Sequence, residues 1–107
     1  MLKFKRGNFN KDIKTVVIKL GTHVVYNGEC INEDNISNLV DQIIEWQIKN
    51  VQFVIVTSGA VGAGSGKLNF KHTTKTLPVK QALASIGQPI IISIYSKYFE
   101  KYNIPVG

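Results

Sequence analysis

Cysteine is nearly absent from this sequence of 107 residues, because Cys30 is the only one. A single thiol cannot form an internal disulfide or a multi-cysteine metal site, so both are excluded within the chain. The two histidines, His23 and His72, have no histidine, cysteine or acid at a spacing typical of metal ligands, and we interpret them as structural or exposed. The sequence therefore offers no metal site of its own.

Acidic residues are also few, seven against thirteen basic ones, which gives a formal net charge of +6 at pH 7. The excess is concentrated at the start, where residues 1–14 carry five basic side chains and one acidic one. A basic leader without an aromatic or helical pattern is typical of a solvated extension, and we predict no nucleic-acid function. We treat residues 1–14 as a basic N-terminal extension and residues 15–107 as the folded part.

Long hydrophobic runs are missing as well, since no run approaches the ~18 apolar residues needed to span a bilayer. The basic start is not followed by a hydrophobic stretch, so it does not resemble a secretory signal. With 44% hydrophobic and 19% charged residues, the composition is that of a globular protein. We expect a single cytoplasmic domain with no membrane partner.

Hydrophobic periodicity predicts an α/β fold. Apolar runs at 15–20 and 51–56 predict two strands, and apolar residues at three- and four-residue steps from Glu33 to Asn50 predict a helix between them. A second helical pattern runs from Pro78 to Tyr102, with Pro89 inside it, where proline favours a kink or a break. Strand, helix and strand at this spacing form a βαβ unit, so we expect a parallel sheet with helices on both faces, a three-layer αβα arrangement. So few strands leave unpaired edges, and the fold is predicted to be incomplete in this chain.

The second predicted strand leads into a stretch of very small side chains, Ser58-Gly-Ala-Val-Gly-Ala-Gly64. Open α/β sheets bind ligands at the carboxyl ends of their strands. Glycine there permits a positive φ or a close backbone approach, and the first amides of the next helix can face an anion. The pattern predicts that Ser58 and Gly59 hold a carboxylate or a phosphate. We interpret Ala60, Ala63 and Gly64 as small residues that let the next helix pack closely on the sheet.

Lys19 occupies the corresponding place at the end of the first predicted strand. A lysine on an apolar strand is costly to bury without a counter-charge, which a phosphate group would supply, and Gly21 would let phosphate oxygens approach the main chain. The alternative is an edge-strand lysine that reaches solvent. Residues 64–80 add four lysines and no carboxylate, which is typical of a solvated loop that can also attract an acidic substrate.

Three stretches together resemble one family: Val17-Ile-Lys-Leu-Gly-Thr22, Val54-Ile-Val-Thr-Ser-Gly-Ala-Val-Gly-Ala-Gly64 and Lys80-Gln-Ala-Leu-Ala-Ser-Ile-Gly-Gln88. In order and separation they look like the amino-terminal, substrate-side half of glutamate 5-kinase, which belongs to the amino acid kinase superfamily. The resemblance implies ATP-dependent phosphorylation of the side-chain carboxylate of L-glutamate to glutamyl 5-phosphate, the first step of proline biosynthesis. It also implies Mg²⁺ carried by the nucleotide, and a homo-oligomer in the full-length form.

Residue by residue, the resemblance implies a catalytic Lys19 on the ATP phosphates and a Ser58 that binds glutamate. The other implied positions are those of the phosphate loop and of the substrate loop: Gly21, Thr22, Gly59 and Ala60. The family's kinase domain is more than twice this long, and its later half supplies most of the nucleotide site. We therefore predict that the 107-residue chain alone does not phosphorylate glutamate.

Three other interpretations stay open. The chain is also compatible with another superfamily member, such as an acetylglutamate, uridylate or aspartate kinase. It is compatible with a non-catalytic remnant that binds an acidic metabolite or a partner chain. Nucleic-acid binding through the basic extension would be recognised by an affinity that collapses with salt.

Overall fold

The computed structural model describes residues 13–71 and 74–107. Most of the predicted basic extension and His72 therefore lie outside the described residues. Within those ranges the chain forms two strands and four helices: β1 (Thr15–Leu20), α1 (Thr22–Val25), α2 (Glu33–Gln47), β2 (Gln52–Thr57), α3 (Ala60–Leu68) and α4 (Leu77–Glu100).

The two strands are parallel neighbours in one sheet. Their pairing runs from Thr15 opposite Gln52 to Leu20 opposite Thr57. The bounds of β1 are those predicted, and β2 begins and ends one residue later than predicted. The predicted βαβ unit is confirmed, with α2 as its crossover helix.

Local sequence explains where α2 begins and which side of it is buried. Asn32 is the N-cap, and its side-chain oxygen accepts a hydrogen bond from the Asn35 N–H at 3.2 Å. Glu33 and Asp34 place negative charge in the first turn, where the helix dipole stabilises it. The buried residues recur at helical spacing: Ile36, Leu39, Val40 and Ile43.

The described helices cover one face of the sheet. Ile18 and Leu20 of β1 belong to the same core cluster as the buried residues of α2 and α4. The opposite face carries three exposed valines, Val17 (64% exposed), Val54 (49%) and Val56 (47%). The α/β class with a parallel sheet is confirmed, and the second helical layer of a complete αβα fold is not among the described residues.

Close contact between α3 and α4 depends on glycine. A Cβ at Gly64 would lie 2.0 Å from the Leu83 carbonyl oxygen, and a Cβ at Gly87 would lie 1.7 Å from that of Ala60. Neither separation is possible for a real side chain, so both positions require glycine as long as the helices stay this close. Gly64 therefore serves close packing, but against α4 and not against the sheet as the sequence predicted.

The sequence predicted a kink or a break at Pro89, and the break is wrong, because α4 continues from Leu77 to Glu100. Proline costs a helix one backbone hydrogen bond, but packing of the whole helix opposes the break. Buried side chains lie on both sides of the proline, with Leu83 before it and Ile91 and Tyr95 after it, and Pro89 itself is exposed. Tertiary contacts on one face therefore hold the two halves in one helix.

By length and composition alone, α4 is long and apolar enough to cross a membrane. That observation is weak, because a core helix of a soluble protein passes the same test. In this chain α4 packs against α3 through Gly87 and against the core through Ile91, Tyr95 and Phe99. These contacts bury 17% of the most apolar 18-residue window of α4.

Candidate functional site

The two loops predicted to carry the site lie at the same edge of the sheet. The backbone N–H of Ser58 donates to the carbonyl of Leu20 at 3.0 Å, which extends the parallel ladder one step past both strands. Lys19 pairs with Val56, two residues before Ser58. Because alternate residues of a strand share a face, Lys19 and Val56 stand on the open face of the sheet. The structure therefore brings the predicted lysine and serine to one end of one sheet.

Lys19 is exposed, and its contact with phosphate groups stays a prediction. The exposure arises because β1 buries only the alternate side chains Val16, Ile18 and Leu20, at least in part, while Lys19 stands on the uncovered face. The side chain of Lys19 therefore reaches solvent in this structure. An exposed ammonium group at a strand end remains available to an anionic ligand.

The phosphate loop predicted after β1, at Gly21 and Thr22, has open space beside its main chain. Gly21 has an extended backbone, with φ of −74° and ψ of 164°, and a Cβ added there would meet no atom within 4 Å. Position 21 therefore requires glycine neither for a positive φ nor for packing among the described residues. Thr22 and His23 follow as the first exposed residues of α1. This arrangement leaves room for a phosphate group beside the main chain.

The substrate loop predicted after β2 is more constrained. Gly59 has φ of +104°, as the sequence predicts for a glycine at this turn, and caps α3 without a side-chain hydrogen bond. A Cβ at Gly59 would also lie 2.9 Å from Val25 Cγ1 and 3.3 Å from Ile91 Cδ1. Gly59 therefore also has a packing role, which the sequence did not reveal. Ala60 is the first residue of α3, so its N–H and those of the next two residues have no partner within the helix, whereas the Ala63 N–H donates to the Gly59 carbonyl at 2.9 Å.

A short hydrogen-bond chain ties this loop to the core. The hydroxyl of Tyr95 donates to Thr57 Oγ1 at 2.9 Å, and Thr57 Oγ1 donates to the Ser58 carbonyl at 3.0 Å. Burial raises the pKa of the Tyr95 hydroxyl above its ordinary value, so the group stays a proton donor at neutral pH. The backbone orientation of Ser58 is thus set partly by a residue on α4.

A second contact, between Tyr26 and Gly62, joins the segment after α1 to helix α3. The sequence did not indicate it. The ring of Tyr26, one residue after α1, lies over Gly62 of α3, where an added Cβ would come within 2.8 Å of ring atoms. The Tyr26 hydroxyl donates to the Gly28 carbonyl at 3.1 Å. The only signal in the sequence was the unexplained glycine at 62, and its partner is distant in the chain.

The residues present fit a nucleotide phosphate at the first loop only in part. Lys19, Gly21 and Thr22 provide an exposed ammonium group, open main chain and a hydroxyl. In the described ranges, no three His, Cys, Asp or Glu side chains are grouped so that they could hold a metal ion. A Mg²⁺ ion would therefore have to arrive with the nucleotide or be held by residues other than these.

A parallel sheet with a lysine loop and a small-residue loop at one carboxyl edge belongs to the class of α/β folds that bind ligands at the ends of their strands. The sequence profile of the amino acid kinase family matches residues 14–107, and the chain belongs to that family. Among curated relatives, the glutamate 5-kinase of Clostridium tetani is 36% identical over 107 residues, which is 99% of this chain and 40% of that protein. The glutamate 5-kinase of Thermoanaerobacter sp. strain X514 is 46% identical over 89 residues, 82% of this chain and 24% of that protein.

The glutamate 5-kinase of Clostridium acetobutylicum is 35% identical over 103 residues, which cover 95% of this chain and 39% of that relative. The resemblance to glutamate 5-kinases inferred from three short stretches is thus confirmed over nearly the whole chain. In these three comparisons the chain spans only 24 to 40% of the length of the relatives.

Proposed function

We propose that this chain carries the glutamate-binding and part of the phosphate-binding machinery of a glutamate 5-kinase. The reaction would transfer the γ-phosphoryl group of ATP to the side-chain carboxylate of L-glutamate, giving glutamyl 5-phosphate and ADP in the cytoplasm. The observation that carries the proposal is the Ser58 N–H to Leu20 carbonyl hydrogen bond, which sets the Lys19 and Ser58 loops side by side. The names of the relatives support the choice of substrate.

The proposed chemistry needs little covalent work from the protein. A glutamate carboxylate is already ionised at neutral pH, so one of its oxygens can attack the γ-phosphorus without a general base. The bond from that phosphorus to the oxygen of ADP breaks as the new bond forms. Positioning and neutralisation of charge then supply most of the catalysis.

In this proposal, Ser58 and the free N–H groups at the start of α3 hold the glutamate, with Gly59 and Ala60 completing the loop. Lys19 offsets negative charge on the phosphate oxygens, and Mg²⁺ carried by ATP would neutralise more of it. The described residues supply one side of such a site. We therefore also propose that the isolated chain is inactive and that activity needs the remaining parts of a full-length homo-oligomeric kinase.

A chimera tests the function directly. This chain would replace the matched 40% of the Clostridium tetani glutamate 5-kinase, and ADP release would be followed in a coupled assay with L-glutamate. We expect glutamate-dependent ADP release by the chimera and none by the isolated 107-residue chain. A folded chimera that is inactive with L-glutamate but active with N-acetylglutamate, aspartate or UMP would contradict the proposed substrate.

A further inference from the structure

The turn between α1 and α2 contains the one asparagine of the sequence that is followed by glycine, Asn27-Gly28. An antiparallel bridge between Tyr26 and Ile31 closes this turn, and the Asn27 N–H donates to the Cys30 carbonyl at 3.1 Å. The residues between the two ends of the bridge are exposed. This turn lies outside the two loops described above, and the proposed function makes no use of it.

The side-chain carbonyl of Asn27 is held by two main-chain donors. Asn27 Oδ1 accepts hydrogen bonds from the N–H groups of Glu29 and Cys30, both at 2.9 Å. Two donors at this distance polarise a carbonyl group and stabilise the negative charge that develops on its oxygen when a nucleophile attacks the carbon. The fold itself therefore activates the side-chain amide of Asn27.

The main-chain nitrogen of Gly28 can act as the nucleophile. The hydrogen bond from the Glu29 N–H to Asn27 Oδ1 closes a ring of atoms that includes both Asn27 Cγ and the Gly28 nitrogen, so the turn keeps these two atoms close together. No hydrogen bond found within residues 26–31 uses the Gly28 N–H. Gly28 has φ of +100°, and a Cβ added there would meet no atom within 4 Å, so no side chain shields the nitrogen.

We propose that Asn27 is a site of spontaneous deamidation and that the folded turn promotes the reaction. The Gly28 nitrogen loses its proton to a solvent base and forms a bond to Asn27 Cγ. The bond from Cγ to Nδ2 breaks, and Nδ2 takes up a proton and leaves as ammonia. Water then opens the five-membered imide ring at either of its carbonyls. One opening gives aspartate, and the other gives isoaspartate, in which the main chain runs through the side-chain carbon.

The two products have different consequences for the turn. An aspartate side chain still accepts from the N–H groups of Glu29 and Cys30, and its negative charge strengthens both hydrogen bonds. Isoaspartate lengthens the main chain by one carbon, so the turn cannot close in the same way. Tyr26 then loses its support, because its hydroxyl donates to the Gly28 carbonyl at 3.1 Å while its ring lies over Gly62.

Incubation of the folded 107-residue chain at pH 8, followed by peptide mapping by mass spectrometry, tests the proposal. Each deamidation adds one mass unit and one negative charge, so ion exchange also separates the products. Asn50 and Asn103 are matched internal controls, because both are exposed and have positive φ but precede the β-branched residues Val51 and Ile104. We expect Asn27 to deamidate at least about tenfold faster than either, since a branched side chain crowds the attacking nitrogen.

The same incubation in urea separates the effect of the fold from that of the sequence. We expect Asn27 to react at least as fast in the folded chain as in the unfolded one, because unfolding removes both hydrogen bonds to Oδ1. The rate should rise with pH, since the nitrogen attacks after losing its proton. Asn27→Gln should give no product at this position, because its longer side chain would have to close a six-membered ring.

Asn27→Asp reproduces one of the two products. We expect its melting temperature to equal or exceed that of the unsubstituted chain, whereas the isoaspartate fraction isolated by ion exchange should melt at a lower temperature. The proposal is overturned if Asn27 reacts no faster than Asn50 and Asn103, or if urea accelerates its reaction more than about twofold. An isoaspartate fraction as stable as the unsubstituted chain would overturn the inferred effect on Tyr26.

Discussion

The Tyr95 hydroxyl donates to Thr57 Oγ1 at 2.9 Å, across the interface between the longest helix and the end of β2. Tyr95 is 3% exposed, so this hydrogen bond forms in a region from which water is largely excluded. Thr57 Oγ1 in turn donates a hydrogen bond to the Ser58 carbonyl at 3.0 Å. A core tyrosine thereby fixes the turn at which the candidate substrate loop begins.

Removing that hydroxyl tests the link. We expect Tyr95→Phe to lower the free energy of unfolding by about 1 kcal/mol, the usual size of a buried neutral hydrogen bond, and to weaken L-glutamate binding. Urea unfolding and calorimetry would measure the two effects. Tyr102→Phe is the matched control, because the Tyr102 hydroxyl donates to Asp41 on the exposed surface. Equal losses in both variants, or unchanged binding in Tyr95→Phe, would contradict the role of Tyr95 in the loop.

Lys19 is expected to matter for phosphoryl transfer and very little for folding. In the chimera, Lys19→Ala should lower kcat about 100-fold, which corresponds to about 3 kcal/mol of transition-state stabilisation. Because Lys19 is exposed, its replacement should leave the melting temperature within about one degree. Lys14→Ala, at another exposed lysine just before β1, controls for net charge. A normal kcat in Lys19→Ala would remove this residue from the catalytic site.

The sequence correctly predicted those features of the fold that depend on residues close together along the chain. Strand β1, helix α2 and the positive φ of Gly59 follow from local periodicity and turn chemistry. The sequence did not predict features that depend on contacts between residues distant along the chain. The packing of Val25 on Gly59 could not be read from the sequence. The continuity of α4 through Pro89 could not be predicted either, because it depends on contacts with other elements.

The contact between α3 and α4 predicts a large effect at Gly87. Gly87→Ala would place a methyl group 1.7 Å from the Ala60 carbonyl oxygen, so the helices must separate. We expect the free energy of unfolding to fall by about 3 kcal/mol, at the upper end for overpacked sites. Gln88→Ala, at the adjacent exposed position, should change it by less than about 0.5 kcal/mol. Urea unfolding with both variants checks this, and a stable Gly87→Ala protein would show that the contact is looser than described.

The ion pair between α2 and α4 predicts a dependence on pH. Lys97 Nζ lies 2.6 Å from Glu33 Oε1, and this hydrogen bond holds the pKa of Glu33 below its ordinary value of 4.5. A carboxylate whose pKa is lowered by folding adds stability above pH 4.5, and that stability is lost as pH falls through the lowered pKa. The same pair raises the pKa of Lys97, so the contribution persists up to about pH 10.5.

Urea unfolding of Glu33→Gln at pH 7 and at pH 3 would measure this contribution. We expect the variant to be less stable than the unsubstituted chain at pH 7 and close to it at pH 3. The difference should be small and should shrink in 1 M salt, since both side chains are more than 40% exposed. Asp34→Asn removes a carboxylate from the same helical turn and so controls for the helix dipole. A salt-insensitive difference would argue against an ion pair.

Pro89 lies inside a continuous helix, so its replacement should stabilise the protein. The proline has no N–H to donate to the Ser85 carbonyl, and its ring crowds that oxygen. Because Pro89 is exposed, Pro89→Ala restores the donor without creating a cavity, and we expect the free energy of unfolding to rise by about 2 kcal/mol. Gln88→Ala changes a neighbouring exposed side chain without adding a donor and should have almost no effect. A loss of stability in Pro89→Ala would mean that the helix needs the shape that proline imposes, and hydrogen exchange at position 89 would then show no protection.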